Sequence, residues 1–366
     1  MAKSNKKSIG KELDILLQKG LEKGVFSGAC VSYFKTAKFS GEKCFFSCGT
    51  TSSGETGSKV NEKTFFDLAS LTKPLVTTLS AAVLIEKGVL YLEDKLSDCC
   101  RWEVDGVKRD IKVVHLLSHS SGLPAHRPYY EKLYRSLKGD KKEKLKKWIL
   151  NESLSFAPGT GTLYSDLGFI LLGFLIEEKS GENLDAFWEK KITAPLKLQK
   201  EIFFPRKGSF DRRQCISTEK CIWTGQMLSG EVHDDNCRAM GGVAGHAGLF
   251  GTAAAVLSLC EHLLKQFKGK EEHPSYSSEL LRSLLKRVYK EGWSCGFDTV
   301  TKGKSSSGNF FSEGSRGHLG FTGTSFWIDF EREAAVVLLT NRVHMGSSLE
   351  GIQKLRPQIH DAIMKG

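Results

Sequence analysis

The sequence lacks any apolar run near the 18 or so residues that a membrane-spanning helix needs; its longest candidates, Val113–Leu117 and Ala334–Thr340, have the length of core elements. No membrane span is expected. The basic start, MAKSNKKSIG, has the charge of an export signal but neither its apolar segment nor its small-residue cleavage site, so cytoplasmic residence is expected. Paired C-x-x-C spacing is missing too. Cys215, Cys221, His233 and Cys237 are therefore a weak zinc set, and the expectation is no metal. The ten cysteines, two of them adjacent at Cys99–Cys100, show no secreted-scaffold spacing and read as reduced thiols. Phosphate-loop and dinucleotide fingerprints are absent, and no cofactor is expected. Without a Gly-x-Ser-x-Gly elbow, an α/β-hydrolase is disfavoured. There is no repeat period and no extended low-complexity tract.

What is present is an ordinary globular composition, 40% hydrophobic and 26% charged over 366 residues, which sets aside disordered and coiled-coil classes. The length suits one large domain or two closely joined ones. The net charge of +11 is dispersed. Its densest run, Lys138 to Lys147, is interrupted by Asp140 and Glu143 and reads as a solvated face, with no nucleic-acid motif beside it. Nucleic acid is not expected as a partner; a small molecule or peptide is.

Periodicity predicts an amphipathic helix over Ser8–Glu22, then strands over Ala29–Thr36 and Lys43–Gly49 joined by a short polar turn. A helix is predicted from Ser70 to a stop at Gly88. Residues 90 to 270 read as mainly helical, with helices over Leu163–Glu178, Leu184–Glu189 and Ala253–Phe267. Strands return at Gly292–Thr301, Gly320–Asp329 and Ala334–Thr340, and Leu349–Met364 closes the chain as a helix despite Pro357. Pairing of the terminal strands in one antiparallel sheet gives an α+β fold with a discontinuous sheet domain (1–69 and 271–366) and a mainly helical domain (70–270), the active site lying at their junction.

Serine followed three residues later by lysine puts a hydroxyl and an amine on one helical face, where the amine can take the serine proton during attack. The spacing occurs seven times, at Ser4, Ser8, Ser32, Ser40, Ser70, Ser217 and Ser283. Only Ser70-Leu71-Thr72-Lys73 follows a short apolar segment and opens a long apolar helix. There, unpaired N–H groups favour an incipient alkoxide and burial lowers the lysine pKa. The competing reading is a helix cap. Tyr164, at the end of the loop in the turn-rich Pro158–Phe169 segment, could lose its phenolic proton well below the usual value if buried near cations; packing is the alternative. Gly317–Asp329 reads as one strand whose glycines permit close approach of substrate and whose N–H groups could complete an oxyanion hole. His115 and His119 sit one turn apart without the adjacent glutamate of a metalloprotease, which favours a structural role. His233-Asp234-Asp235-Asn236 looks site-like beside a glycine-rich run, with no role assigned and a surface loop as the alternative.

Taken together, the segments around Ser70, Tyr164 and His318, with His115–Pro124 and Gly241–Phe250 flanking them in order, resemble the penicillin-recognising serine hydrolases: class C β-lactamases, low-molecular-weight D,D-peptidases and their esterase-like relatives. The resemblance covers roughly residues 20–345 and implies a β-lactamase/transpeptidase-like fold, an antiparallel sheet flanked by helices plus a mainly helical inserted region. It implies Ser70 as acylated nucleophile, Lys73 as its proton-relay partner and Tyr164 as the tyrosine of Tyr-x-Asn. His318-x-Gly320 matches the Lys/His-Thr-Gly strand, and the N–H groups of Ser70 and Phe321 match the oxyanion hole.

Three positions depart from that pattern: Asp166 replaces asparagine, Leu319 replaces threonine, and His318 stands where many relatives have lysine. β-Lactams and D-Ala-D-Ala peptides carry a carboxylate that Asp166 would repel, so carboxylate recognition should be weak. Asp166 should also favour the ammonium form of Lys73, leaving Tyr164 as the proton acceptor. The expected function is a serine hydrolase acting through an acyl-enzyme on an ester or amide, a cell-wall-derived peptide among the candidates, with poor β-lactam turnover. A true class C-like β-lactamase or D,D-carboxypeptidase, and a non-catalytic penicillin-binding sensor, remain alternatives.

Overall fold

The computed structural model describes every residue except 1, 36–41, 54–56, 137, 206–209, 290–291, 302, 304, 347 and 366. Its centre is a six-stranded sheet. We number the strands β1 (Gly28–Lys35), β2 (Cys44–Gly49), β3 (Asp298–Thr299), β4 (Arg316–Leu319), β5 (Ser325–Asp329) and β6 (Ala334–Thr340). They lie in the order β2-β1-β6-β5-β4-β3, every pair antiparallel. The chain's two ends meet at β1 and β6, with Ala29 opposite Thr340 and Lys35 opposite Ala334. Every residue of β1 and β6 is buried. A strand covered on both faces cannot alternate polar and apolar side chains, hence the continuous run AAVVLL in β6. The turn predicted between β1 and β2 lies mostly outside the described residues.

One face of the sheet is covered by the first helix, Ala2–Glu22, and the last, Leu349–Lys365, through Leu13, Leu17, Trp327, Val336, Ile359 and Ile363. On the other face, helix Ala253–Phe267 packs Val256, Leu259 and Leu263 toward Phe326, Val337 and Leu339, and that core continues into the helical part through Leu75, Leu79, Phe169 and Leu172. Helices Ala253–Phe267 and Leu349–Lys365 match the predicted periods closely. Tyr164 precedes its helix, which runs Asp166–Ser180 and is capped by Ser165, whose hydroxyl accepts the Gly168 N–H at 3.2 Å.

Three expectations need correction. Gly292–Thr301 contributes only the two-residue strand β3. Gly317–Asp329 is not one strand but β4, a tight turn and β5: Gly323 takes φ +100°, Gly320 donates to Thr324 O at 2.8 Å, and a Cβ on Gly320 would lie 2.0 Å from Thr324 Oγ1. Ser70 does not open a regular α-helix. Ala69–Leu71 form a 3₁₀ turn, Lys73–Thr78 a wide π turn, and the α-helix covers only Leu79–Glu86.

Candidate active site

Ser70 is positioned by the strained residue before it. Ala69 adopts φ +48°, a left-handed conformation costing a non-glycine residue roughly 1–3 kcal/mol, which the surrounding structure must hold in place. Buried Asp67 does much of the holding: Oδ1 accepts the Ala69 N–H at 2.8 Å and Oδ2 the His233 N–H at 2.7 Å. Asp67 also pairs with Phe250 in a small sheet, Phe66–Asp67, Phe250–Gly251 and Ile202–Phe203. The turn after β4 is tied to the same segment, since Thr322 Oγ1 donates to Asp67 O at 2.8 Å and Thr324 Oγ1 to Leu68 O at 3.2 Å. Serine and glycine-rich turn are thereby fixed relative to each other.

Lys73 is fully buried. Its Nζ donates to Ser70 Oγ at 3.0 Å, to Asp166 Oδ1 at 2.7 Å and to His246 O at 3.2 Å, and it sits 4.8 Å from the centroid of the Tyr164 ring. Burial pulls the Lys73 pKa down, but the Asp166 carboxylate and the Tyr164 phenol overcome it, and the net direction is upward. Asp166 shifts the opposite way. Burial pushes it up, but Lys73, a hydrogen bond with His126 and the His246 ring hold it well below the usual carboxylate range. His126 Nδ1 lies 3.5 Å from Asp166 Oδ2 and is itself raised, first by that hydrogen bond. The lysine is therefore an ammonium ion clamped by a carboxylate.

Tyr164 corrects the expectation of an easily lost phenolic proton. Burial raises its pKa most; Lys73 lowers it, Asp166 raises it again, and hydrogen bonding with Lys73 and Ser70 does not reverse the result. The resting phenol keeps its proton. Its ring packs on His119 at 4.5 Å and Trp293 at 5.4 Å between centroids.

His318 is buried beside this group, its pKa pushed down to about 3, chiefly by burial and then by Lys73. Nδ1 donates to Leu319 O at 2.7 Å, so Nε2 carries a lone pair, and it has no partner among the described residues. The ring offers an acceptor where a lysine would offer a cation. Phe321 is 58% exposed at the turn; its carbonyl accepts from Arg342 Nε at 3.1 Å, and its ring stacks on His233 at 5.6 Å with the Arg342 guanidinium 4.7 Å from its centroid. Among the described residues, neither the Ser70 nor the Phe321 N–H donates to another protein group.

Ser70, Tyr164, Asp166, His318, Gly320 and Phe321 all line one cavity of ≈ 830 Å³, with Lys73 behind them. His233, Asp234 and Asp235 line it as well. Asp234 caps the helix Asp235–Ala239 by accepting the Cys237 N–H, and its carboxylate is 2.9 Å from His246 Nε2. Asn236 faces away: its Oδ1 accepts the Tyr130 N–H at 2.8 Å. His119 accepts the Ser165 N–H at 3.1 Å, and His115 accepts from Lys112 N at 3.2 Å. Cys215, Cys221, His233 and Cys237 form no ligand set; among the described residues no group of three or more His, Cys, Asp or Glu side chains could hold a metal ion. The sequence reading missed Asp67, His126, His246 and Arg342. Asp67 and His246 lie next to or within the quoted segments; His126 and Arg342 are surrounded by no pattern that singles them out.

A serine, a lysine and a tyrosine meeting at a cleft between an antiparallel sheet and a helical region is the arrangement of serine hydrolases with the β-lactamase fold. The chain belongs to the Beta-lactamase family, whose model matches residues 14–356. It is 30% identical over 316 residues to an Escherichia coli O157:H7 protein provisionally named a D-alanyl-D-alanine carboxypeptidase, covering 78% of this chain and 71% of that one. It is equally 30% identical over 310 residues to the N-acetylmuramyl-L-alanine amidase of Bacillus subtilis (strain 168), covering 78% and 70%. In fold it resembles EstCE1, a hydrolase with promiscuous acyltransferase activity: TM-score 0.77, 24% identity, 98% of this chain and 99% of that chain. No helix among the described residues is long and apolar enough to cross a membrane.

Proposed function

We propose that this serine hydrolase works through an acyl-enzyme on Ser70, taking an ester or amide substrate, and that it turns over β-lactams poorly. The observation that carries the reading is the 3.0 Å contact of a fully buried Lys73 with Ser70 Oγ at the edge of a cavity large enough for a small substrate. Ser70 Oγ attacks the carbonyl carbon, and the developing oxyanion is received by the N–H groups of Ser70 and Phe321. The serine proton passes to Tyr164 in the minority of molecules whose phenol is ionised, with Lys73 bridging the two oxygens. The protonated phenol then supplies the leaving alcohol or amine, and water repeats the sequence to release the acid.

Poor β-lactam turnover is supported by the neutral His318, the apolar Leu319 and the charged Asp166 at positions where relatives offer lysine, threonine and asparagine. The names of the two relatives favour a cell-wall-derived peptide as the amide substrate. The cleft lies where the sheet part (1–69 and 271–366) meets the helical part (70–270), although helix Ala253–Phe267 packs with the sheet. Ten free cysteines favour a reducing, cytoplasmic compartment.

The test is intact mass after a fluorophosphonate and after penicillin, combined with rates on a chromogenic cephalosporin and a short-chain nitrophenyl ester. The reading expects one adduct, its absence in Ser70→Ala, and faster ester than cephalosporin hydrolysis. Faster cephalosporin hydrolysis means a β-lactamase, and a lasting penicillin adduct without turnover means a sensor.

A further inference from the structure

His233 touches both sides of the proposed oxyanion hole. Its backbone N–H donates to Asp67 Oδ2 at 2.7 Å, and the other oxygen of that carboxylate accepts the Ala69 N–H at 2.8 Å, one residue before Ser70. Its ring stacks on Phe321, with 5.6 Å between centroids and 29° between planes. The ring is itself held. Nε2 lies 2.9 Å from Glu219 Oε1, an ion pair off the line of a good hydrogen bond, and the His233 carbonyl accepts from Arg238 Nη1 at 2.9 Å. Burial pulls the His233 pKa down, but Glu219, then Asp67 and Asp234, carry it above the ordinary value, so the ring is more cationic than a free histidine. A cationic plane is attracted to an aromatic face.

Phe321 needs such a hold. Its side chain is 58% exposed in the turn between Gly320 and Thr324, yet an N–H offered to an oxyanion is useful only when aimed to within about 0.5 Å. Arg342 grips the Phe321 carbonyl through Nε at 3.1 Å and Nη2 at 2.6 Å, and Thr322 Oγ1 ties the turn to Asp67 O at 2.8 Å. Those contacts fix the backbone after Phe321; the His233 ring fixes the side chain of Phe321 itself. We propose that His233 is a positioning residue for the oxyanion hole: anchored through its N–H on the carboxylate that holds Ala69, its ring sets where the Phe321 N–H lies relative to the Ser70 N–H. This role rests on the serine-hydrolase reading above. It also gives a use to the polar stretch His233–Asn236, in which Asp234 caps its own helix and Asn236 holds Tyr130, whereas the His233 side chain lines the cavity of Ser70.

The test uses the full chain with nitrophenyl acetate and the matching thionoacetate, in which sulfur replaces the carbonyl oxygen. Sulfur accepts hydrogen bonds poorly, so the two N–H groups act far more on the oxygen ester than on the thionoester. In His233→Ala, which leaves the N–H on Asp67 in place, kcat/KM on the oxygen ester should fall roughly 10- to 100-fold, while the thionoester rate changes by no more than about threefold. His233→Phe keeps a plane against Phe321 and should restore most of the oxygen-ester rate. Glu219→Gln releases the ring without removing it and should show the same selective loss by a smaller factor, which carries the test if His233→Ala does not fold. Equal losses on both esters, or no loss on either, would make His233 a structural residue only and overturn the proposal. A chain that a fluorophosphonate does not label loses the serine-hydrolase reading and this role together; a labelled chain without the selective loss loses this role alone.

Discussion

Lys73 and Arg356 are both cations buried along the same cavity, and they are treated oppositely. Lys73 has a carboxylate at 2.7 Å, a hydroxyl at 3.0 Å, a carbonyl at 3.2 Å and a ring beneath it. Among the described residues Arg356 has none of these. A compensated buried charge fixes geometry at the price of reactivity: Asp166 holds the amine in place but also keeps it protonated. An uncompensated one is held in place by packing alone. Structure alone thus separates a charge that organises its surroundings from one that lacks a partner among the described residues.

The largest expected effect breaks the comparison directly. Lys73→Met leaves the largely buried Asp166 with only the rings of His126 and His246 acting on it and should destabilise the chain by roughly 3–5 kcal/mol in urea unfolding. Arg356→Met removes a charge that has no partner among the described residues and should leave stability equal or higher. Equal losses from both would mean that Arg356 is paired in solution.

Acid stability sharpens the contrast from the Lys73 side. The Asp166 pKa is depressed in the folded state, so its contribution is present above the ordinary carboxylate range and is lost as pH falls toward the folded value. His318 and His360 fold neutral with values near 3, and His273 near 4. The unfolded chain binds more protons between these values and about 6.5, so stability should fall through that window as pH drops. A Tm flat from pH 7 to 4 would contradict the buried, neutral histidines. The smallest effect is expected at Ala69: Ala69→Gly removes left-handed strain and should raise stability by about 1 kcal/mol, measured in the same unfolding experiment. A loss there would mean that the Ala69 Cβ packing outweighs the strain.

Much of this architecture was legible because it follows period. The buried strands β1 and β6 and helix Ala253–Phe267 carry uninterrupted or amphipathic patterns that local physics dictates. The hairpin at Gly320–Thr324 was hidden because its glycines and threonines fit a strand until the close approach to Leu68 O is known. Ser70, Lys73 and Tyr164 could be singled out by spacing and context. Tyr164's protonation could not, since it depends on whether Lys73 or Asp166 and burial prevail at distances only the fold sets. Arg356 did leave a mark: it sits among Ile352, Leu355, Ile359 and Ile363 on the buried face of an amphipathic helix, where a charge is out of place.

The proposed chemistry depends on Asp166 keeping Lys73 and Tyr164 protonated at rest. The most direct measurement is the pH dependence of kcat/KM on a neutral nitrophenyl ester for the unaltered chain and for Asp166→Asn. The unaltered enzyme should keep gaining activity into the alkaline range, because both groups that could take the serine proton are raised. In Asp166→Asn the rise should shift downward by about one pH unit or more, giving roughly tenfold more activity at neutral pH. An unmoved profile, or a plateau already reached at neutral pH in the unaltered enzyme, would contradict it.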